Sequence, residues 1–393
     1  MKRALLCTSI LGTLLLALAS TACKSTPDYN TPLGDGVSAL IPLGPRDKVP
    51  DFSKQWQDRH DLLPALERSL SWTRREHARQ FFPIAGIEHT RALASLERFQ
   101  QLLETSYGPE AFQKSIVDEF QVYKSAGWNG KGGGVLFTAY CTPILIGSLS
   151  ETAEFRYPLY RLPQDLVKGR DGSVLGWETP QGRRETYPSR AAIEASGMLK
   201  GTELVWLKDP IDAFLAHVNG SAFIELPDGT MYRCGYAGKN GRPYTSLGKE
   251  LEEDGKLTKG EASLKTIRAW AASAAPDELQ EYLERNQSYV FFTEIDGNPH
   301  GSLDVEVQAG RSIATDKALF PRGALVFAEG PKEHEGIVNR LMFDQDTGGA
   351  IRTAGRADLY LGIGPEAEEI AGQTRVEGQV YYLFLKEGAA LEP

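Results

Sequence analysis

The sequence predicts a mainly β protein with α-helices, in which one β unit is inserted into another domain. Three observations carry this reading. Helical periodicity appears in two blocks, an early one and a second near residues 259–285. Each block is followed by a long run of short apolar, β-branched or aromatic segments bounded by Gly, Pro and Asp. The two halves are not repeats of each other, so the order helix–strand–helix–strand fits an insertion better than two beads in series. At 393 residues the chain is also long for a single core.

The N-terminus is a targeting signal. Met1-Lys2-Arg3 is basic, residues 4–19 are apolar but too short for a comfortable membrane span, and Ser20-Thr21-Ala22 lead to Cys23. Residues 1–22 therefore read as a signal peptide. The small residues before Cys23 resemble a bacterial lipobox, which would make Cys23 a lipidated N-terminus; cleavage near Ala22 would instead leave a soluble periplasmic protein. Lys24 after the cysteine favours the periplasmic face of the outer membrane. Residues 23–58, rich in Pro, Gly and Asp, read as a tether and irregular arm.

Helices are expected next: over 62–82, around Leu96, Phe99 and Leu103, and around Phe112, Ile116, Phe120 and Tyr123 after Pro109. These stripes are core faces. The stretch NGKGGG (129–134) ends the helical block, and no GK[ST] follows to support a phosphate loop. Strands then run through LFTAYCTPILIG, EFRYPLYRL, GTELVWLKD and GSAFIELPDGTMYRCGYAG, with a hairpin turn at PDG, 227–229. Helices return over 259–274, where Thr258 and Glu261 have capping-box spacing, and over 276–285. From YVFFTEI through SLDVEVQA, GALVFAE, VNRLMFDQD and ADLYLG to GQVYYLFLK the chain is strand-rich.

Composition is that of an ordinary globular protein, 41% apolar and 24% charged, and a net charge of −9 argues against nucleic acid as a partner. Beyond Cys23 a processed chain would keep only Cys141 and Cys234, which could pair or stay buried as free thiols. The six histidines are scattered without metal-site spacing, so neither a metal nor an organic cofactor is expected.

The chemistry-bearing stretch is QDTGGAIRTAGRADLYLGIG, 345–364, where Asp346 and Asp358 stand among five glycines. Asp344 precedes Asp346 by two residues and would share its strand face, and Asp316 lies upstream in SIATDKALF. Single aspartates usually cap turns. A glycine-lined pair beside Tyr360, however, leaves room for a sugar ring, and glycoside chemistry needs a carboxyl group to protonate the leaving oxygen. A hydrolase uses two carboxyls. A lytic transglycosylase needs one, because the C6 hydroxyl of the substrate takes the place of water.

GYAGKNGRPYTSLGKEL (235–251), NQSYVFF (286–292) and DQDTGGAIRTAGRADLYLGIGPEAEEIAG (344–372) resemble the membrane-bound lytic transglycosylase A family. So do FTAYCTP (137–143), FRYPLYRLP (155–163) and VNGSAFIELPDG (218–229), in collinear order. The last third also resembles the 3D domain, named for three aspartates, with Asp316, Asp346 and Asp358 at the matching places. The resemblance implies a double-psi β-barrel with N-terminal helices, over 59–136 plus 287–393, interrupted by a second β domain over 137–286. The glycan groove runs between them. It implies that Asp358 is the catalytic acid and base, that Asp346 orients or tunes it, and that Asp316 supports the barrel floor. Lys239, Asn240, Tyr244, Ser246, Asn219, Ser221, Tyr140 and Tyr360 become the expected sugar contacts. The partners implied are peptidoglycan strands, a membrane through the lipid anchor, and other members of a cell-wall-remodelling complex. The implied reaction cleaves the MurNAc–GlcNAc bond to 1,6-anhydro ends from chain termini; a two-carboxylate hydrolase and a non-catalytic wall-binding lipoprotein are the alternatives.

Overall fold

The computed structural model describes residues 27–169 and 173–388. The signal peptide and Cys23 lie outside the described residues. What is described of the arm is no loose tether. It contributes β1 (Leu40–Pro42), which pairs antiparallel with residues 123–125, and it buries Leu40 and Phe52.

Three helices follow, α1 (Arg59–Thr73), α2 (His89–Thr105) and α3 (Pro109–Glu119). The apolar stripe expected to run on through Phe120 and Tyr123 leaves the helix. Phe120 turns to extended backbone and opens β2 (Phe120–Ser125), where the burial of Phe120 and Val122 follows strand alternation instead of the helical stripe. Next comes β3 (Val135–Thr142).

Pro143 then separates β3 from β4 (Ile144–Ser148), and these strands belong to different sheets. The inserted unit continues with β5 (Tyr157–Tyr160), β6 (Leu166–Lys168), β7 (Val174–Glu178) and β8 (Arg184–Glu185). It goes on through α4 (Arg190–Ser196), β9 (Glu203–Leu207), α5 (Pro210–Asn219), β10 (Ala222–Glu225) and β11 (Met231–Lys239). It closes with α6 (Leu247–Glu253), α7 (Leu264–Ser273), α8 (Pro276–Arg285) and β12 (Val290–Glu294). Its main sheet has the order β12-β11-β10-β4-β9-β5, around Leu145, Leu159, Val205, Ile224 and Phe292. The hairpin β10–β11 turns at the expected PDG.

The sheets change partners near both expected insertion boundaries, 137 and 286. Strand β3 pairs inside the barrel, whereas β12 pairs with β11, so the crossings fall at Pro143 and after Glu294. Other differences are local. Helix α7 begins later than expected, behind a capping box made by Ser263 and Thr266 rather than Thr258 and Glu261. Residues 301–309 form no strand. Helix α5 was not foreseen, although Asp209 as N-cap, Pro210 at the first turn and Gly220 as the left-handed C-cap were all legible.

The chain returns through β13 (Ser312–Ala314), β14 (Leu325–Glu329), β15 (Arg340–Asp346), β16 (Arg356–Ile363), α9 (Pro365–Gln373) and β17 (Val376–Leu385). Here six strands close on themselves in the order β17-β14-β15-β13-β16-β3 and back to β17. The pairs β13–β15 and β16–β3 are parallel, the others antiparallel. Phe137, Val326, Met342, Leu359 and Tyr382 fill the interior. Phe327, Leu341 and Phe343 face outward and meet Leu66, Phe99 and Phe112 of the three helices. With both faces covered, β14 and β15 read as near-continuous apolar runs.

One charged pair sits inside this core. Asp344 is wholly buried and accepts from Lys317 Nζ, from Thr315 Oγ1 at 2.7 Å and from Tyr382 Oη at 2.8 Å. A bulge between β13 and β15 sends Asp344 inward and leaves Asp346 half-buried at the rim, so the two aspartates do not share an environment. Lys317→Met should cost about 3–5 kcal/mol in urea unfolding, because it strands a buried carboxylate. Adding Asp344→Asn should recover most of that loss.

Candidate active site

Strand alternation builds the site. Along β3 the odd positions Phe137 and Cys141 are buried, while Thr138, Tyr140 and Thr142 form a polar stripe on the other face. Strand β16 runs parallel to it with Asp358 opposite Thr138 and Tyr360 opposite Tyr140. Each member of the stripe is hydrogen-bonded. Thr138 Oγ1 donates to Asp358 Oδ1 at 2.8 Å, and Tyr140 Oη donates to Asp346 Oδ2 at 2.6 Å. Thr142 Oγ1 lies 3.1 Å from both Tyr360 Oη and Ser221 Oγ, linking the barrel to the insert.

The two aspartates are held differently. Asp346 accepts three hydrogen bonds: Tyr140 on Oδ2, and the backbone N–H groups of Ser302 and Thr347 on Oδ1, each at 2.8 Å. Burial raises its carboxyl above the ordinary value, and those donors oppose the rise. Asp358 accepts from Thr138 alone, and its Oδ2 has no partner among the described residues. Burial pushes the Asp358 carboxyl up to about 6, against the Thr138 hydrogen bond and the Arg356 charge, with the Asp346 charge adding to the rise. Like-charge repulsion, the cause expected from the sequence, is thus the smaller one. A half-buried carboxyl with one free oxygen and a value near neutrality is suited to giving and taking a proton.

Gly301 explains how the Ser302 donor reaches Asp346. A Cβ there would lie 2.7 Å from Gln345 O and 3.1 Å from Asp346 Cγ, so only glycine allows this approach. From the insert, Tyr244 closes over the same region; a Cβ on Gly349 would sit 3.2 Å from Tyr244 Cβ. The Tyr244 hydroxyl is raised mainly by burial, with the Asp358 charge adding to it.

The remaining expected residues divide. Lys239 and Tyr244 are half-buried and face the region of Asp358 or of Arg352. Ser246 caps α6 through Lys249 N–H, and Asn219 ends α5 with its amide on Leu215 O. Asn240 does not fit a sugar contact: it is wholly buried, its Nδ2 donates to Pro188 O and Gln287 O, and its Oδ1 accepts from Tyr289 N–H and Arg242 N–H. Tyr360 and Ser221 are also buried, with their hydroxyls engaged by Thr142, so the expectation that they touch substrate is corrected. Asp316 joins neither aspartate. It is buried and caps a turn through Ala318 N–H. Cys141 and Cys234 are separate buried thiols, each pushed up to about 12 by burial. Sequence reasoning missed Thr138, Ser302 and Arg356; the alternation Thr138-Ala139-Tyr140-Cys141-Thr142 was the available signal for the first.

Residues 136–293 match the family model described as the MltA specific insert domain, and residues 311–384 match the 3D domain. The membrane-bound lytic murein transglycosylase A of Escherichia coli strain K12 is 35% identical over 291 residues, covering 72% of this chain and 71% of the relative. That of Vibrio cholerae is 32% identical over 68% of this chain and 70% of its own. Among solved structures, a membrane-bound lytic murein transglycosylase from Agrobacterium tumefaciens superposes with a TM-score of 0.74 at 29% identity, covering 88% of this chain and 98% of that one. E. coli MltA with bound chitohexaose gives 0.63 at 26% identity, over 91% and 96%.

Two outcomes follow from this geometry. The Asp358 value in the fold lies above that of an unfolded carboxyl, so ionisation opposes folding and wild-type stability is lost as pH rises from about 4 through 6. Asp358→Asn should therefore raise Tm, by little at pH 4 and by roughly 1–3 kcal/mol equivalent above pH 7. Gly301→Ala should lower Tm and, by displacing Ser302 N–H, reduce activity, both measurable on the purified protein.

Proposed function

The chain belongs to the membrane-bound lytic murein transglycosylase A family, and we propose that it cleaves the β-1,4 MurNAc–GlcNAc bond of peptidoglycan with Asp358 as the sole acid and base. One observation carries the assignment: Asp358 is half-buried with one free oxygen and a value near 6, whereas Asp346 has both oxygens engaged by three donors. Asp358 in its protonated form gives its proton to the glycosidic oxygen as the bond from C1 of MurNAc breaks. The resulting carboxylate then takes the proton of the C6 hydroxyl of the same residue, and that oxygen closes on C1 as a 1,6-anhydro ring. No water enters and no second carboxylate reacts. Burial is what chiefly keeps Asp358 protonated, and the charge of Asp346, fixed by Tyr140, Ser302 and Thr347, adds to it.

We assign the glycan groove to the space between barrel and insert, where Tyr244 approaches the Gly348-Gly349 loop, and we assign to the closed barrel the double-psi connectivity implied by the resemblance. Anchoring through a lipid on Cys23 and residence at the outer membrane belong to the same reading, supported by the sequence before Lys24 and by relatives named as membrane-bound.

Digestion of purified sacculi should release muropeptides lighter by one water than the reducing sugars a hydrolase yields; reducing ends alone would refute the mechanism. Asp358→Asn should abolish turnover while retaining sacculus binding, and Asp346→Ala should weaken turnover without abolishing it. The wild-type kcat/KM should fall above pH about 6, roughly tenfold per pH unit, as the acid is lost.

A further inference from the structure

Three cations converge on the groove with no permanent carboxylate to answer them. Arg356 stands two residues before Asp358; its Nη2 donates to Thr138 Oγ1 at 3.3 Å, its Nη1 reaches Asn30 Oδ1 at 3.5 Å, and its Nε is buried without a partner. Arg352 is exposed on the glycine-rich loop, where its Nε donates to Gly349 O at 3.3 Å, and it forms no ion pair among the described residues. Lys239 reaches in from the insert at the end of β11. It is half-buried and makes neither a hydrogen bond nor an ion pair among the described residues.

These groups share one electrostatic neighbourhood. After burial, the Arg352 charge is the cause that lowers the Lys239 ammonium. Tyr244, packed near Gly349, feels both Asp358 and Arg356. The chain as a whole carries −9, so this excess runs against its own balance. A half-buried cation without a counter-charge loses solvation and gains nothing until an anion arrives. Asp358 cannot be that anion throughout, because the acid step needs it protonated. An uncharged polysaccharide would leave all three cations unanswered.

We propose that Lys239, Arg352 and Arg356 form a carboxylate subsite beside the acid, which takes the anionic branch of the muramic residue: its lactyl carboxylate in a bare strand, or the carboxylates of the peptide that extends it. This rests on the peptidoglycan reading above. The guanidinium fork matches a carboxylate in bidentate geometry, and the ammonium adds a point charge from the opposite wall. The subsite has a catalytic consequence. An anion seated on Arg356 cancels the positive charge that opposes protonation of Asp358, so a strand carrying the branch favours the acid form more than one lacking it.

The test uses calorimetric binding to the Asp358→Asn protein, which does not consume its ligands, with and without the pair Lys239→Gln and Arg352→Gln. Three ligands separate the sources: peptide-bearing murein strands, strands stripped of peptide by an amidase, and chitohexaose, which has no carboxylate. The pair should weaken the anionic ligands roughly tenfold and leave chitohexaose within about twofold. The difference should shrink in roughly 0.5 M salt. Loss on the stripped strands alone places the carboxylate on the lactyl group, loss on peptide-bearing strands alone places it on the peptide, and loss on both means that either carboxylate fills the subsite; each of these supports it. Unchanged binding of both anionic ligands, or equal weakening of all three, overturns it. Retained chitohexaose binding certifies the fold of the variants. The parent reading fails separately, when the wild-type protein releases no anhydro product from sacculi.

Discussion

The parallel register of β3 and β16 is the constraint on which the site depends. It sets Thr138 opposite Asp358 and Tyr140 opposite Tyr360, and one polar face of β3 thereby serves both aspartates and the link to the insert. A slip of one residue would turn that stripe into the core and bring Phe137 and Cys141 to the groove. The barrel prevents the slip because β3 is also fixed to β17, and closure leaves no free edge on which to shift.

The same strand joins the two units. After Thr142 a single residue, Pro143, carries the chain from barrel sheet to insert sheet, so the donors that hold the acid sit at the root of the opposite groove wall. Away from this crossing, Arg268 of α7 bonds Asp212 of α5 and Glu368 of α9, bridging insert and barrel across a second point. The insert is thus joined to the barrel unit at two points, the chain crossing at Pro143 and the Arg268 bridge. Burial at this junction is what raises the Asp358 carboxyl.

The aspartates also show how burial divides labour among like residues. Asp344 lies in the core and is paired with Lys317; Asp346 lies at the rim with three donors; Asp358 lies in the groove with one. Three carboxyl groups within fifteen residues thus sit in three different environments. Nothing in the side chain separates them: an ammonium among three donors and full burial set Asp344 apart from Asp346, which has three uncharged donors, and a single donor sets Asp358 apart from both.

The sequence alone determined the alternation of helical and strand-rich blocks, the insertion, the glycine-lined pair Asp346 and Asp358, and the hairpin at 227–229, since these rest on local periodicity and turn chemistry. It also contained the β3 stripe, visible only as alternating Thr, Ala, Tyr, Cys and Thr. What tertiary structure decided was every pairing between distant segments. The loop 301–309 reads as a strand but folds into an irregular turn that delivers Ser302 to Asp346. Asn240 reads as a groove residue but spends all its hydrogen-bonding capacity on the backbone. Burial and donor set are sums over neighbours far away in the chain, and it is those sums, not the local pattern, that set the three aspartates apart.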